Sequence, residues 1–543
     1  MALTSFMTHG RERVGNPLKI RVIPLFLLTG FSLAYIFLAP NLFQQDWDSL
    51  MYAYWAEING ISSIWGNHPL GHLLLNSINV LLMNLGFPWR ALQVFIVCNG
   101  LLSGTAVALF FFLMKEIGID DWLSLGYAVV FGASYGIWHF SGSADIYSLS
   151  VLLLIAAWIS LLYEVQTRKA RTLYLSGALA GLSVLSHQLN VVFFFAAFVI
   201  IVFQKKDRWP RMITFGSAAF VLILIGGILL GSIAISSASL PEIYDWFRGY
   251  LGDDIYGEPL SIESIVLASR VALQTVLVAP TWLGEATVIR TVLYSFLFVL
   301  ILLGVMQVKR LNRGKKIILL SAFIQCLVSF LLIAWFEPWY PKFWLLVLVP
   351  AMIGIACCID ALMKGNAPGL LNFREPKKYY SHLLLLLPGI IVLVFNLRFA
   401  ILNEHTPDEA SQRSLNTWLE HSDPDDMLIT AGDLIPQLWF WSNRPNTIHL
   451  YHSLVVNKNS DDRFEYLRAQ INRCLCEGDS VLYTPAIVDH FGDSFLGLLD
   501  LSRVELRTFF DGYEKESAFI YRNRINNKET QVYTLMNPDA CSE

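Results

Sequence analysis

The chain has 543 residues, of which 55% are hydrophobic and only 15% are charged, with 16 Trp, 36 Phe and a formal net charge of −4. A soluble globular domain is about 25% charged, so this composition excludes a soluble enzyme and a disordered chain, and the lack of a basic excess excludes a nucleic-acid partner. Seven cysteines make no disulfide framework and none has zinc-site spacing, which leaves a membrane protein.

The first apolar run, from about Ile23 to Pro40, follows Arg11, Arg13, Lys19 and Arg21 and lacks a small-residue cleavage site, so it reads as a retained span. A polar loop follows, from Gln45-Asp46-Trp47-Asp48-Ser49 through Glu57 to Gly66-Asn67-His68-Pro69-Leu70-Gly71-His72. The apolar stretch His68–Gly86 is expected to lie along the interface as an amphipathic helix. The next polar segment, Trp138 to Tyr147, carries Asp145 where a further span begins. Leu173–Phe203 is apolar throughout and lies between two basic loops, so it must cross an even number of times; two short helices turning at His187-Gln188-Leu189-Asn190 satisfy this. Ile262–Leu283, which carries Arg270, is assigned to the outer surface, and a late aromatic loop from Trp335 to Trp344 contains Glu337, Tyr340 and Lys342.

Five segments are rich in Lys and Arg: the N-terminus, Arg168–Arg171, Lys205–Arg211, Lys309–Lys316 and Lys364–Lys378. The positive-inside rule places them in the cytoplasm and the acidic loops between them outside. The expectation is a polytopic α-helical body of about eleven spans plus interfacial helices over residues 1–402. Its N-terminus is inside. Residues 401–543 hold 35 of the 82 charged residues, 23 acidic against 12 basic. Runs such as Met427-Leu428-Ile429-Thr430 and Ser480-Val481-Leu482-Tyr483 alternate there with helical patterns, so 403–543 is expected to be a soluble α/β domain on the outer face. It carries no Gly-rich phosphate loop, and a docking or acceptor-handling role without chemistry suits it.

The polar constellations all fall on the outer side. Carboxylates at the end of an apolar helix are costly unless they act. A D-x-D pair such as Asp46 and Asp48 can hold a divalent metal or polarise a hydroxyl; a solvated loop is the bland alternative. Asp145 could equally face a helix macrodipole, His187 could be a packing residue, and Lys342 could snorkel to the headgroups or pair with a lipid phosphate.

Together, the first-loop acid, the His68-Pro69-Leu70 helix start, the second-loop acid and the alternating sidedness resemble the GT-C superfamily of integral-membrane glycosyltransferases. Asp48-Ser49-Leu50-Met51-Tyr52-Ala53-Tyr54-Trp55-Ala56 is similar to the D-E-x-x-Y-A-x-x-A pattern of aminoarabinose lipid A transferases and protein O-mannosyltransferase relatives, with Ser49 where Glu is common. Asn67-His68-Pro69-Leu70 resembles their P-P-L helix start, and Asp145-Ile146-Tyr147 stands where one branch has E-V-Y. Gly181 through His187 is similar to the same branch, and the likeness covers roughly residues 20–345.

The resemblance implies inverting transfer from a polyprenyl-phosphate sugar donor to a hydroxyl acceptor at the bilayer surface. Asp48 matches the family acid and would be the general base, with Asp46 the runner-up. His68, His72, Arg270 and Lys342 are candidates to bind the donor phosphate. Asp145 would hold the acceptor or orient His187, and His187, Glu337 and Tyr340 would contact substrate. No cofactor is required, although a divalent metal is compatible with the acids. A bacterial inner membrane, with the tail in the periplasm, is the expected location. A multi-pass transporter or flippase of a lipid-linked sugar, or a non-catalytic assembly scaffold, are the alternative readings.

Overall fold

The computed structural model describes residues 17–41, 45, 47–204, 207–248, 260–278, 291, 294–295, 298–299, 301–364, 378–406, 409–430, 447–450, 454, 462, 464–490, 501–522 and 529–537. Chain contacts divide it into two compact units, one formed by Met1–Pro40 with Ala56–His405 and the other by Asn41–Trp55 with Thr406–Glu543.

The first unit is helical. Six of its described helices are long and apolar enough to cross a membrane: Ala91–Glu116, Tyr147–Thr167, Arg208–Ile235, Arg313–Phe336, Pro341–Met363 and Leu387–His405. Val22–Phe37 and Gln188–Val202 are shorter apolar helices. The chain is a multi-pass membrane protein.

In lipid there is little hydrophobic force between helices, so close packing relies on small residues. Two G-x-x-x-G pairs do this here. A Cβ on Gly100 would lie 2.6 Å from Ile36 and one on Gly104 2.1 Å from the Ser32 hydroxyl, so this face meets the first helix backbone to backbone. Gly177 and Gly181 press the Ala170–Ser186 helix onto the Phe215 and Ala219 carbonyls in the same way.

The stretch Leu173–Phe203 breaks where its polar residues fall. The Ala170–Ser186 helix ends at His187, a short 3-10 turn spans Gln188–Val192, and helix resumes over Phe193–Val202. Pro69 at the first helical position starts the Pro69–Asn84 helix, where its missing N–H costs nothing. Arg270 lies on the Ile262–Val276 helix, which packs through Ala268 and Val271 against Ile333 and Trp344.

Several buried or half-buried charges of this unit are paired. Glu164 forms an ion pair with Arg211, and Lys315 lies 2.7 Å from Asp360 while donating to the Gly118 carbonyl at 3.0 Å. Glu57 lies 2.6 Å from Arg90 and accepts from the Ala91 N–H at 2.9 Å, which places a carboxylate at the positive N-terminus of the Ala91–Glu116 helix.

The second unit is built on a five-stranded sheet of order β2-β1-β3-β5-β4, with β1 Met427–Thr430, β2 Thr447–His449, β3 Val481–Tyr483, β4 Glu514–Arg522 and β5 Glu529–Met536. β1 runs parallel to β2 and β3, and β5 joins antiparallel to β3 and β4. The apolar triplets in β1 and β3 are continuous because both faces of the sheet are covered. Met427, Ile429, Val481 and Tyr483 pack on one side with Leu467, Ile471, Leu506 and Phe510. Leu428, Leu482, Phe519 and Val532 face the other way, against Leu415 and Trp418.

Candidate functional site

A buried polar cluster in the first unit is assembled from four stretches distant in sequence. The segment before Pro69 is clamped from two sides. The Trp246 indole donates to the Ile64 carbonyl at 3.1 Å, and the Gln188 amide donates to the carbonyls of Gly66 at 3.1 Å and Phe247 at 2.6 Å. A Cβ on Gly66 would lie 1.9 Å from the Trp246 carbonyl oxygen, so only glycine permits this approach. The clamp delivers His68 as the N-cap residue of the Pro69–Asn84 helix, and His72 follows one turn later. Both are buried, 2% and 1% exposed, with ring centroids 6.5 Å apart.

His187, at the break between two helices, brings its ring centroid to 4.4 Å from that of His68. Its Nε2 is 2.9 Å from the Tyr147 hydroxyl, and the Leu189 N–H donates to its Nδ1 at 3.1 Å. Lys342, 5% exposed in the Pro341–Phe343 turn, places its ammonium 4.3 Å from the Tyr340 ring centroid and 5.8 Å from that of Tyr147. Phe343 closes the side facing His187 and Tyr147, at 5.9 and 6.4 Å.

Asp145 is fully buried two residues before Tyr147. One carboxylate oxygen accepts the Ile146 N–H at 2.7 Å, and its carbonyl accepts from the Asn99 amide, which also bonds the Ser143 carbonyl at 2.9 Å. Gly71 on the His68 helix sits against Ile146, and Gly142 against Ala39 and Pro40, which fixes this loop beside the imidazoles.

Burial sets the protonation of the pocket. It pushes the His68 imidazole down to about 3, against a partial opposing effect of the Ser186 carbonyl. It also holds His72 and His187 well below the ordinary histidine range, with the nearby His68 adding to both. The three imidazoles are therefore neutral at pH 7, and the Lys342 ammonium stands among the rings. Burial raises the Glu337 carboxyl to about 7, and its main chain accepts the Tyr340 N–H at 3.3 Å.

Of the residues picked out from sequence, His68, His72, His187, Tyr340 and Lys342 come together, with Asp145 on the adjoining loop. Arg270 is exposed and makes no ion pair or ring contact among the described residues. Asp48 belongs to the second unit, in the first turn of the Trp47–Asn59 helix, and Asp46 lies outside the described residues. Among the described residues no three His, Cys, Asp or Glu side chains group as a metal centre needs.

Two partners escaped the sequence reading. Tyr147 was visible only as part of a motif, and its bond to His187 spans 40 positions. Glu404 accepts from the Tyr135 hydroxyl at 2.7 Å and lies 2.8 Å from His139 Nδ1, a contact across 265 positions that no local signal announces.

No family model and no curated relative matches the sequence. Solved structures do. ArnT from Cupriavidus metallidurans in its apo state is 13% identical with a TM-score of 0.52, over 94% of this chain and 97% of that one. The Archaeoglobus fulgidus oligosaccharyltransferase in complex with Zn and sulfate is 11% identical with a TM-score of 0.50, over 94% of this chain and 72% of that one. The ArnT structure bound to undecaprenyl phosphate aligns over 95% of this chain at 11% identity and a TM-score of 0.48. The chain is built on the fold of the GT-C glycosyltransferases.

Proposed function

We propose that this protein is a membrane glycosyltransferase that moves a sugar from a polyprenyl-phosphate donor to a hydroxyl on a protein, lipid or glycan. The reaction takes place at the outer face of a bacterial inner membrane, with residues 403–543 in the periplasm. The observation that carries this reading is the buried cluster of His68, His187, Tyr147 and Lys342 within a GT-C fold. The Lys342 ammonium among aromatic and imidazole rings suits a phosphate group.

In the transfer the acceptor oxygen forms a bond to the anomeric carbon as the bond from that carbon to the donor phosphate oxygen breaks. The acceptor proton goes to Asp48, and the phosphodiester monoanion leaves as a phosphomonoester dianion. The extra negative charge grows on the leaving group, so a cation aimed there stabilises the transition state more than the bound donor. Lys342 has that role. His68 and His72 remain neutral hydrogen-bonding groups for the phosphate or its sugar, Glu337 and Tyr340 contact substrate, and Asp145 holds the loop that carries Tyr147. The reaction needs no cofactor.

The transporter alternative calls for carboxylates available within the helices. Glu164 and Asp360 are instead engaged by Arg211 and Lys315.

The test is transfer of labelled sugar from a panel of polyprenyl-phosphate donors into membrane extract by purified protein. Asp48→Asn is expected to lower turnover by about 10²–10⁴-fold with normal folding. Full turnover by the variant would remove Asp48 as base, and absence of transfer by folded wild type from every donor would overturn the reading.

A further inference from the structure

Seven cysteines are too few for a framework, yet one bridge is closed. Cys98, Cys326, Cys357, Cys358 and Cys474 remain thiols, whereas Cys476 is disulfide-bonded. The seventh cysteine of the chain is Cys541, which lies outside the described residues and is the one candidate left for a partner within the chain.

The Glu465–Glu477 helix explains why its two cysteines differ. Positions two apart on an α-helix do not face each other. Cys474 packs in the core with Met427, Leu467 and Val481, and its thiol donates to the Ser480 carbonyl at 3.8 Å. Burial raises that thiol to about 11, which keeps it protonated and unreactive. Cys476 is on the exposed side. The chain leaving β5 runs along that same side, because the Asn537 amide donates to Asn472 Oδ1 at 3.2 Å. Asn472 precedes Cys476 by four positions and so shares its helix face, with about 6 Å of rise between them. Cys541 follows Asn537 by four positions, and four extended residues reach up to about 13 Å. The sulfur of Cys476 is thus within reach of a cysteine placed where Cys541 stands in the sequence.

We propose that Cys476 and Cys541 form a structural disulfide that fastens the segment after Met536 to the Glu465–Glu477 helix, and that this unit matures in an oxidising compartment. In forming it, the two thiols pass two protons and two electrons to the disulfide of a thiol oxidoreductase, which departs as a dithiol after a mixed-disulfide step. Such bridges persist in the bacterial periplasm and are rare in the cytosol. Asn41–Trp55, with Asp48, belongs to the same compact unit, so the bridge assigns that acid to the outer face on chemical grounds. This assignment uses neither the charge of the loops nor the transferase reading.

The test takes the full chain from membranes denatured in a maleimide, digests it with trypsin without reduction and reads the peptides by mass spectrometry. The Cys474–Arg503 peptide, labelled on Cys474, should be joined to the peptide that holds Cys541, and reduction should split the pair. Cys541→Ala should abolish the joined species and open Cys476 to the label, whereas Cys474→Ala should keep it. In a host that lacks the periplasmic thiol oxidase the joined species should fall severalfold. Label on both Cys476 and Cys541 of the unreduced wild type, or a bridge from Cys476 to any other thiol, would overturn the pairing. An undiminished bridge in the oxidase-lacking host would overturn the compartment, and neither result would touch the transferase reading.

Discussion

His68, His72 and His187 are uncharged in the folded chain because burial denies their cations water, whereas in the unfolded chain each titrates near 6.5. Between those limits the unfolded chain binds more protons, so folded stability is retained above pH about 6.5 and lost as pH falls towards about 3. The melting temperature of the purified protein should therefore drop across that window, and the drop should be shallower in His68→Asn. An identical slope in the two proteins would contradict the burial assigned to this ring. Sequence made the individual histidines legible through their depth in the outer loops. It could not supply their charge, because neutrality comes from neighbours such as Tyr147 and Phe343 that join only in the fold.

Among the elements, Lys315 joins the Arg313–Phe336 helix both to Asp360 on the Trp344–Lys364 helix and to the turn at Gly118. The Lys315 side chain is 2% exposed and that of Asp360 12%, so removing the lysine takes a cation away from a largely buried carboxylate. Lys315→Ala should cost about 3–5 kcal/mol, while Lys315→Met combined with Asp360→Leu should recover most of it. Thermal unfolding of the two variants in the same detergent checks this; equal losses would show that packing, and not charge, is at stake. The break at His187 was readable because an apolar run between two basic loops has to turn back. The strands Met427–Thr430 and Val481–Tyr483 were readable because short β-rich runs alternate there with helical patterns. The tie from Glu404 to Tyr135 and His139 was not, because it depends on where the Leu387–His405 helix ends in space.

For the whole molecule, the alternation of basic and acidic loops sets an expected topology, since it reflects a bias in membrane insertion that acts loop by loop. It predicts opposite sidedness for exposed Arg171 and Val504. In intact spheroplasts an impermeant thiol reagent should label Val504→Cys and leave Arg171→Cys untouched until the membrane is opened. The reverse pattern would invert the proposed topology and move the reaction to the cytoplasm.

The segment Asn41–Trp55, which carries Asp48, belongs to the same compact unit as residues from Thr406 onward, although some 350 residues separate them in the chain. Synthesis runs from one end, so the ribosome delivers the acid early and the rest of its unit only after the whole helical body has been made. Until then Asn41–Trp55 lacks the rest of the unit to which it belongs. The second unit therefore cannot close until translation of the chain is almost complete.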